Sequence, residues 1–150
     1  MILEKEIQEL DNFIPYAEKV NEDVSARGVD WHIDHSLKVI IGISQMLQKS
    51  NPDSYKPDVN LMRSGLFLVG KIPRGKGKSP ETVNNKGQIV LSDLPPQLDM
   101  AKKLLQEIEK LPQKSHFKHP VFGVLNYSQT IRFLEIHTRH HLRIMEDITR

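Results

Sequence analysis

Apolar residues recur three or four positions apart in four segments of the chain, which is the spacing of one face of an α-helix. Four helices are therefore predicted, with polar residues on their outer faces. The segments are about residues 3–25, about residues 31–49, a stretch from the Pro95-Pro96 pair to Pro112, and a stretch from Asn126 to the C-terminus.

Several residues mark where these helices start or break. Pro15 lies inside the first segment and lacks a backbone N–H, so we expect a kink or break near Ile14. Asp30 is a candidate N-cap for the second helix. Asn126 and Gln129 have the spacing of a capping box, which predicts the start of the last helix.

The region from residue 52 to about residue 94 is rich in proline and glycine and has no long helical pattern. Residues 66–69 fit a short strand or the end of a short helix, and residues 88–91 fit an extended piece. Residues 114–125 are predicted to be a loop. The pattern favours an all-α fold, a four-helix bundle with a long irregular crossover between helices 2 and 3. The alternative is an α+β domain with a hairpin within residues 66–91.

Composition narrows the class of protein. A length of 150 residues fits a single domain over 1–150, and the absence of cysteine excludes disulfides, cysteine zinc sites and a protein thiol nucleophile. The net charge of +2 is too small to argue for nucleic acid. No apolar run approaches the roughly 18 residues of a membrane span. The first residues also lack the pattern of a signal peptide, so we expect a cytoplasmic protein.

The last helical segment places two histidines on its apolar face. Five of the seven histidines lie in the last 35 residues, and His137 and His141 share a face with Phe133 and Ile144. The opposite face carries alternating charges and is predicted to meet water, with Glu135 and Arg139 as an i,i+4 ion pair. Two imidazoles one helical turn apart can bind one ion together.

A third ligand must come from another helix, and the second segment offers His35 or His32. His35 is preferred because its neighbours at ±4, Trp31 and Val39, are apolar and predict an inward face. Asp34 either orients a histidine or is exposed in the first turns of its helix. The alternative for each histidine is a packing role, with the ring hydrogen-bonded inside the core. His140 is expected beside the site or at the surface, and His119 in a structural role before Pro120.

Three motifs together resemble a known family. They are Trp31-x-x-x-His35 in the second helix, His137-x-x-x-His141 in the last, and His119-Pro120-Val121-Phe122-Gly123-x-Leu125 before it. This set resembles a largely uncharacterised branch of the DinB-like family of small four-helix-bundle proteins. The resemblance implies a divalent metal, nickel or zinc, held by His35, His137 and His141. It also implies either activation of a low-molecular-weight thiol or a hydrolase activity.

A basic stretch follows residue 70, with four positive charges in eight residues. Its G-x-x-x-x-G-K spacing fails as a phosphate-binding P-loop, because Gly77 stands where the hydroxyl residue is required. The simplest interpretation is a solvated loop. A sharper one is a lid in which Lys71, Arg74 and Lys76 attract an anionic substrate. Binding of nucleic acid is disfavoured, because no aromatic residue is interspersed among these cations.

These observations support two hypotheses for function. The first is a metal-dependent enzyme, a hydrolase or a transferase, that activates water or a low-molecular-weight thiol against a small electrophilic substrate. The second is a non-catalytic, partner-binding module whose metal site is vestigial. A homodimer is expected in either case, and no residue is identified as a general base.

Overall fold

Five α-helices and one two-stranded sheet form the regular structure of residues 1–75 and 87–150, which are the residues that the computed structural model describes. The strands pair in antiparallel register, with Phe117 opposite Leu125. A mostly helical fold was expected, and the sheet is an addition to it. The elements are α1 (Glu4–Phe13), α2 (Val29–Lys49), α3 (Leu61–Val69), α4 (Leu94–Ile108), β1 (His116–His119), β2 (Gly123–Asn126) and α5 (Tyr127–Thr149).

The core forms where α2 meets the other long helices. α2 packs against α4 and α5, and α1 packs against α2, α4 and α5. Ile33, Leu37 and Ile40 of α2 are all completely buried. These residues anchor α2 in the core, and His32 and His35 of the same helix are also buried. No helix in the described ranges has the length and apolar character needed to cross a bilayer.

The first helix is shorter than its apolar spacing predicts. It ends at Phe13, and Pro15 lies in a single 3₁₀ turn over Ile14–Tyr16. The expected break near Ile14 is confirmed, whereas the continuation of the helix to residue 25 is wrong. Asp30 also does not cap α2, because Gly28 occupies the N-cap position and Asp30 lies in the first turn.

The connection between α2 and α4 contains the helix α3, so it is not irregular throughout. Residues 66–69 end this helix, and the alternative of a strand there is wrong. The helix stops at Gly70, whose left-handed φ of 67° lets its N–H bond the carbonyl of Leu66. Residues 88–90 lie outside any helix or strand, and a 3₁₀ turn starts at Leu91.

The predicted loop before the last helix is a β-hairpin instead. β1 and β2 occupy residues 116–126, and no strand occurs in the described part of 66–91. The capping box at the start of α5 is confirmed, because the Asn126 side chain accepts from the Gln129 N–H and Gln129 bonds back to Asn126 N. The hairpin therefore leads directly into α5, the helix that carries His137 and His141.

The charged face of α5 is only partly in water. Glu135 pairs with Arg139 at 3.3 Å, as expected from their spacing. Arg139 also donates to Glu6 of α1 at 2.6 Å, and Glu6 is only 5% exposed. The ion pair between α1 and α5 corrects the expectation that this whole face meets water.

Candidate metal centre

Three histidines from two helices converge inside the protein. His35 of α2 and His137 and His141 of α5 each place a ring nitrogen so that all three atoms lie within 4.8 Å of one another. His35 and His141 are buried and His137 is half-buried. The prediction that one residue of the second helix meets the pair on the last helix is confirmed in this geometry.

Nε2 of His35 lies 3.2 Å from Nε2 of His137. Two nitrogens bound to one tetrahedral zinc ion at about 2.0–2.1 Å would be about 3.3 Å apart. The His141 ring lies 4.7 Å, centroid to centroid, from each of the other two rings. The arrangement therefore suits a shared ion with small side-chain adjustments.

Burial keeps the rings of His137 and His141 neutral. Desolvation, followed by the neighbouring histidines, lowers the pKa of both His137 and His141 well below its usual range. A neutral imidazole has one nitrogen lone pair free for coordination. The environment thus presents the form of histidine that binds metal at neutral pH.

One nitrogen of His137 argues against a pure packing role. Its Nδ1 is buried and has no hydrogen-bond partner in the described structure. Buried polar atoms in folded proteins are nearly always bonded, and leaving one unpaired costs about 1–3 kcal/mol. The 3.2 Å contact with His35 uses the other nitrogen, Nε2, so the orphaned Nδ1 shows that packing leaves this ring unsatisfied, and it is not the nitrogen that faces His35.

His32, the alternative third ligand, lies beside the group instead of within it. Its Nδ1 is 2.9 Å from Nδ1 of His141, and its Nε2 is 3.0 Å from Oγ of Ser25. Burial lowers the pKa of His32 to about 3, so this ring is also neutral. With both rings neutral, a consistent pattern has His141 donating to His32 and His32 donating to Ser25.

This hydrogen-bond chain determines which nitrogen of His141 is free. Because Nδ1 of His141 is used by His32, Nε2 remains for an ion. Metal-bound histidines commonly donate their other ring N–H to a fixed acceptor, which holds the ring and its tautomer. The structure thus separates the two candidates, with His35 in the three-histidine group and His32 as the hydrogen-bond partner of His141.

Trp31 lies beside the three-histidine group, and Arg27 lies next to Trp31. The indole of Trp31 stacks on the His35 ring at 4.7 Å with 5° between the planes. The guanidinium of Arg27 lies 5.6 Å from the Trp31 ring centre. Sequence analysis identified Trp31 as an apolar neighbour of His35 and as part of a motif, and it did not identify Arg27.

Arg74, from the basic stretch after residue 70, contacts α5, the helix that carries His137 and His141. Arg74 donates to Asp147 at 2.7 Å and to the carbonyl of Arg143 at 3.2 Å. Its positive charge is near enough to contribute to the lowered pKa of His32 and of His140. Lys71 is exposed, and Lys76 lies outside the described residues.

Asp34 plays neither role that its position suggested. It is 2% exposed, and its carboxylate accepts from Lys38 at 2.7 Å and from Gln97 at 3.1 Å. It therefore joins α2 to α4 and orients no histidine. His140 is half-buried, as a residue beside the site would be, and its ring lies near the backbone of Ile72.

The histidine of the HPVFG motif is structural, as expected. Nδ1 of His119 accepts the N–H groups of Val121 and Phe122, which shapes the hairpin turn. Gly123 has a φ of 69°, and a Cβ there would overlap the carboxylate of Asp58. The motif therefore encodes a tight turn packed against the segment before α3.

A buried arginine that sequence reasoning missed secures this turn. Arg63 of α3 donates to the Asp58 carboxylate at 2.7 Å and to the carbonyls of Phe122 and Val124 at 3.0 and 2.7 Å. The only available signal was an isolated charge in an apolar segment. Its contacts fix the hairpin that precedes the histidine helix.

Comparison of the chain with protein-family models, with curated proteins and with solved structures finds no match in any of the three. The geometry of the histidines is therefore the basis for assigning a function.

Proposed function

We propose that the protein is a metal-dependent enzyme in which His35, His137 and His141 hold one divalent transition-metal ion. The observation that carries this proposal is the convergence of three ring nitrogens within 4.8 Å, from residues about a hundred positions apart in sequence. The neutral state of the His137 and His141 rings supports it.

The donor set favours nickel or zinc. Imidazole nitrogens suit zinc, nickel, copper and iron, and the chain has no cysteine to add a thiolate. Three protein ligands leave coordination positions free, which is typical of a catalytic site, whereas a structural zinc site has four protein ligands. A homologous arrangement in a DinB-like four-helix bundle is part of this proposal, because the contacts among α1, α2, α4 and α5 and the three motifs are consistent with it.

A bound divalent ion would supply Lewis-acid activation of water or of a low-molecular-weight thiol. The surrounding residues would bind and orient a small electrophilic substrate. Trp31 provides an apolar wall beside His35, which limits access of bulk water from that side. The reaction class is hydrolysis or transfer to the thiol, and any thiol must be a separate molecule because the chain has no cysteine.

The charges near the group favour an anionic substrate. Positive charge from Arg74 reaches His32 and His140, and Arg143 adds to it at His140. The guanidinium of Arg27 lies 5.6 Å from the Trp31 ring centre and adds a further positive charge. We therefore assign Arg74 the role of attracting an anionic group, with Lys71 and Lys76 as further candidates from the same basic stretch.

Metal titration by calorimetry tests the proposal. The metal-free protein should take up close to one equivalent of Zn²⁺ or Ni²⁺, and His137→Ala should lose this binding. His116→Ala is a matched control. The backbone N–H of His116 donates to Oγ of Ser50. Ser50 follows α2 at a distance of about 22 Å along the helix axis from His35, so His116 lies far from the three histidines. Absence of uptake by the unaltered protein, or equal uptake by the His137 variant, would refute the proposed site.

A second candidate function is a non-catalytic, dimeric or partner-binding module. The exposed apolar side of α3 favours it, since Leu61 is 83% and Leu68 is 88% exposed. A partner-binding surface on α3 is compatible with either function, and the calorimetric result decides whether the histidines bind metal at all.

A further inference from the structure

The helix α3 has an unusual distribution of polarity for a helix at the surface. Its only charged residue, Arg63, is 6% exposed and points inward to Asp58 and the hairpin. Its solvent-facing side is apolar instead. Leu61, Met62, Leu68 and Val69 are 83%, 64%, 88% and 67% exposed, respectively.

These residues form one continuous stripe. Positions 61, 62, 65, 68 and 69 fall on the same side of a helix, opposite the buried Arg63 and Leu66. We call the stripe the α3 face, defined by Leu61, Met62, Gly65, Leu68 and Val69. An α-helix that is apolar on both sides is ordinarily covered on both sides.

Gly65 lies at the centre of the α3 face. Glycine inside a helix lowers helix stability, and it is usually kept where another backbone approaches closely. Among residues 1–75 and 87–150 nothing lies within 4 Å of the position that a Cβ would occupy on Gly65. The described part of the protomer therefore gives no reason for a glycine here, whereas a second helix crossing at this point would.

We infer that the α3 face is the interface of a homodimer, in which α3 of one protomer packs on α3 of its partner around a two-fold axis. The face is self-complementary, because it is apolar throughout and carries no charge that a different partner would have to match. Most soluble oligomers are two-fold homodimers with such self-complementary patches.

The exposed area is sufficient for this interface. With Val59, which is 92% exposed just before α3, the apolar side chains present a patch of roughly 500–600 Å². That is the upper end of the largest patch on a typical monomer, about 300–600 Å². It approaches the ~800 Å² per partner of a standard interface. The inference is independent of the metal site, because α3 contributes none of the three histidines.

Sedimentation velocity tests the dimer directly. The unaltered protein should sediment with twice the protomer mass at micromolar concentration. Leu68→Glu should raise the dimer Kd at least a hundredfold and give the protomer mass, because it places a charge in the middle of the interface. Leu68 is 88% exposed, so this change removes little packing within the protomer.

Two controls make the result specific. Val20→Glu changes an exposed valine, 71% accessible, away from α3 and should leave the mass unchanged. Gly65→Arg should dissociate the dimer, and circular dichroism should show that it stays folded, because space surrounds its Cβ. His137→Ala should remain dimeric, which separates this inference from the metal proposal.

A protomer mass for the unaltered protein at all concentrations would overturn the inference and would assign the α3 face to another occupant. An unchanged dimer in both Leu68→Glu and Gly65→Arg would also overturn it, because the interface would then lie elsewhere.

Discussion

His32 connects the three-histidine group to the rest of the protein. It bonds His141 through one nitrogen and Ser25 through the other, so the orientation of a proposed ligand depends on a loop residue. Sequence reasoning placed His32 and His35 on nearly the same face of the helix and preferred His35. It did not identify the bond to His141, because that contact depends on how α2 is rotated against α5.

Replacing His32 should weaken metal binding without abolishing it. In His32→Phe the Nδ1 of His141 loses its partner, and removal of such a supporting hydrogen bond typically costs about 10–100-fold in metal affinity. Ser25→Ala should have a smaller effect in the same direction. Calorimetry of both variants checks this, and an affinity equal to that of the unaltered protein would show that His32 has no positioning role.

His119 makes stability depend on pH. Burial lowers its pKa below the usual 6.5, so the unfolded chain takes up this proton more readily than the folded protein. The free energy of unfolding should therefore fall as the pH drops below 6.5 and toward the folded pKa. Protonation of Nδ1 would also remove the acceptor for the N–H groups of Val121 and Phe122.

The variant His119→Asn isolates this contribution, because its Oδ1 can accept the same N–H groups and does not titrate. Urea unfolding with a chelator present, at about pH 7 and about pH 5, should show a smaller loss of stability in the variant than in the parent. Parallel losses in the two proteins would mean that His119 contributes nothing to the pH dependence.

At the scale of elements, Arg63 joins α3 to the hairpin that leads into α5. Arg63→Met should lower the free energy of unfolding by about 2–3 kcal/mol, because the carbonyls of Phe122 and Val124 lose hydrogen bonds from a charged donor. Arg150→Met, which removes a side chain that is 78% exposed, is the control and should change stability by less than about 0.5 kcal/mol. Equal, small effects in urea unfolding would contradict this role of Arg63.

Helical periodicity predicted the long elements well and the short ones poorly. α2, α4 and α5 each carry an apolar stripe over at least four turns, and their positions follow from it. The hairpin has strands of only four residues, and its turn is stabilised by Asp58 and Arg63, which lie about 60 positions away in sequence. No local pattern encodes such contacts.

The site was more predictable than the elements around it. Helical spacing alone places His137 and His141 on one inward face, and the apolar neighbours of His35 place it on another. The role of Asp34 was mispredicted, because its partner Gln97 comes from α4 and the packing of α2 on α4 is not visible in either segment.

At the scale of the whole molecule, the proposed ion would tie α2 to α5. Ligand binding to the folded state alone stabilises it by about 2.7 kcal/mol when the free metal is at 100 times Kd. For a chain of this length that is a rise in Tm of roughly 5–10 °C. Thermal unfolding with Zn²⁺ or Ni²⁺ and with a chelator should show this difference, and His137→Ala should abolish it. A Tm that is insensitive to metal and to chelator would count against the proposed site.

X-ray absorption spectroscopy of the protein loaded with one equivalent of Zn²⁺ or Ni²⁺ tests most directly whether residues of two helices share one ion. We predict about three imidazole nitrogens at about 2.0–2.1 Å from the metal. His35→Ala, which removes the contribution of α2, should leave about two. A coordination shell made of oxygen alone, or a spectrum unchanged by His35→Ala, would contradict the account.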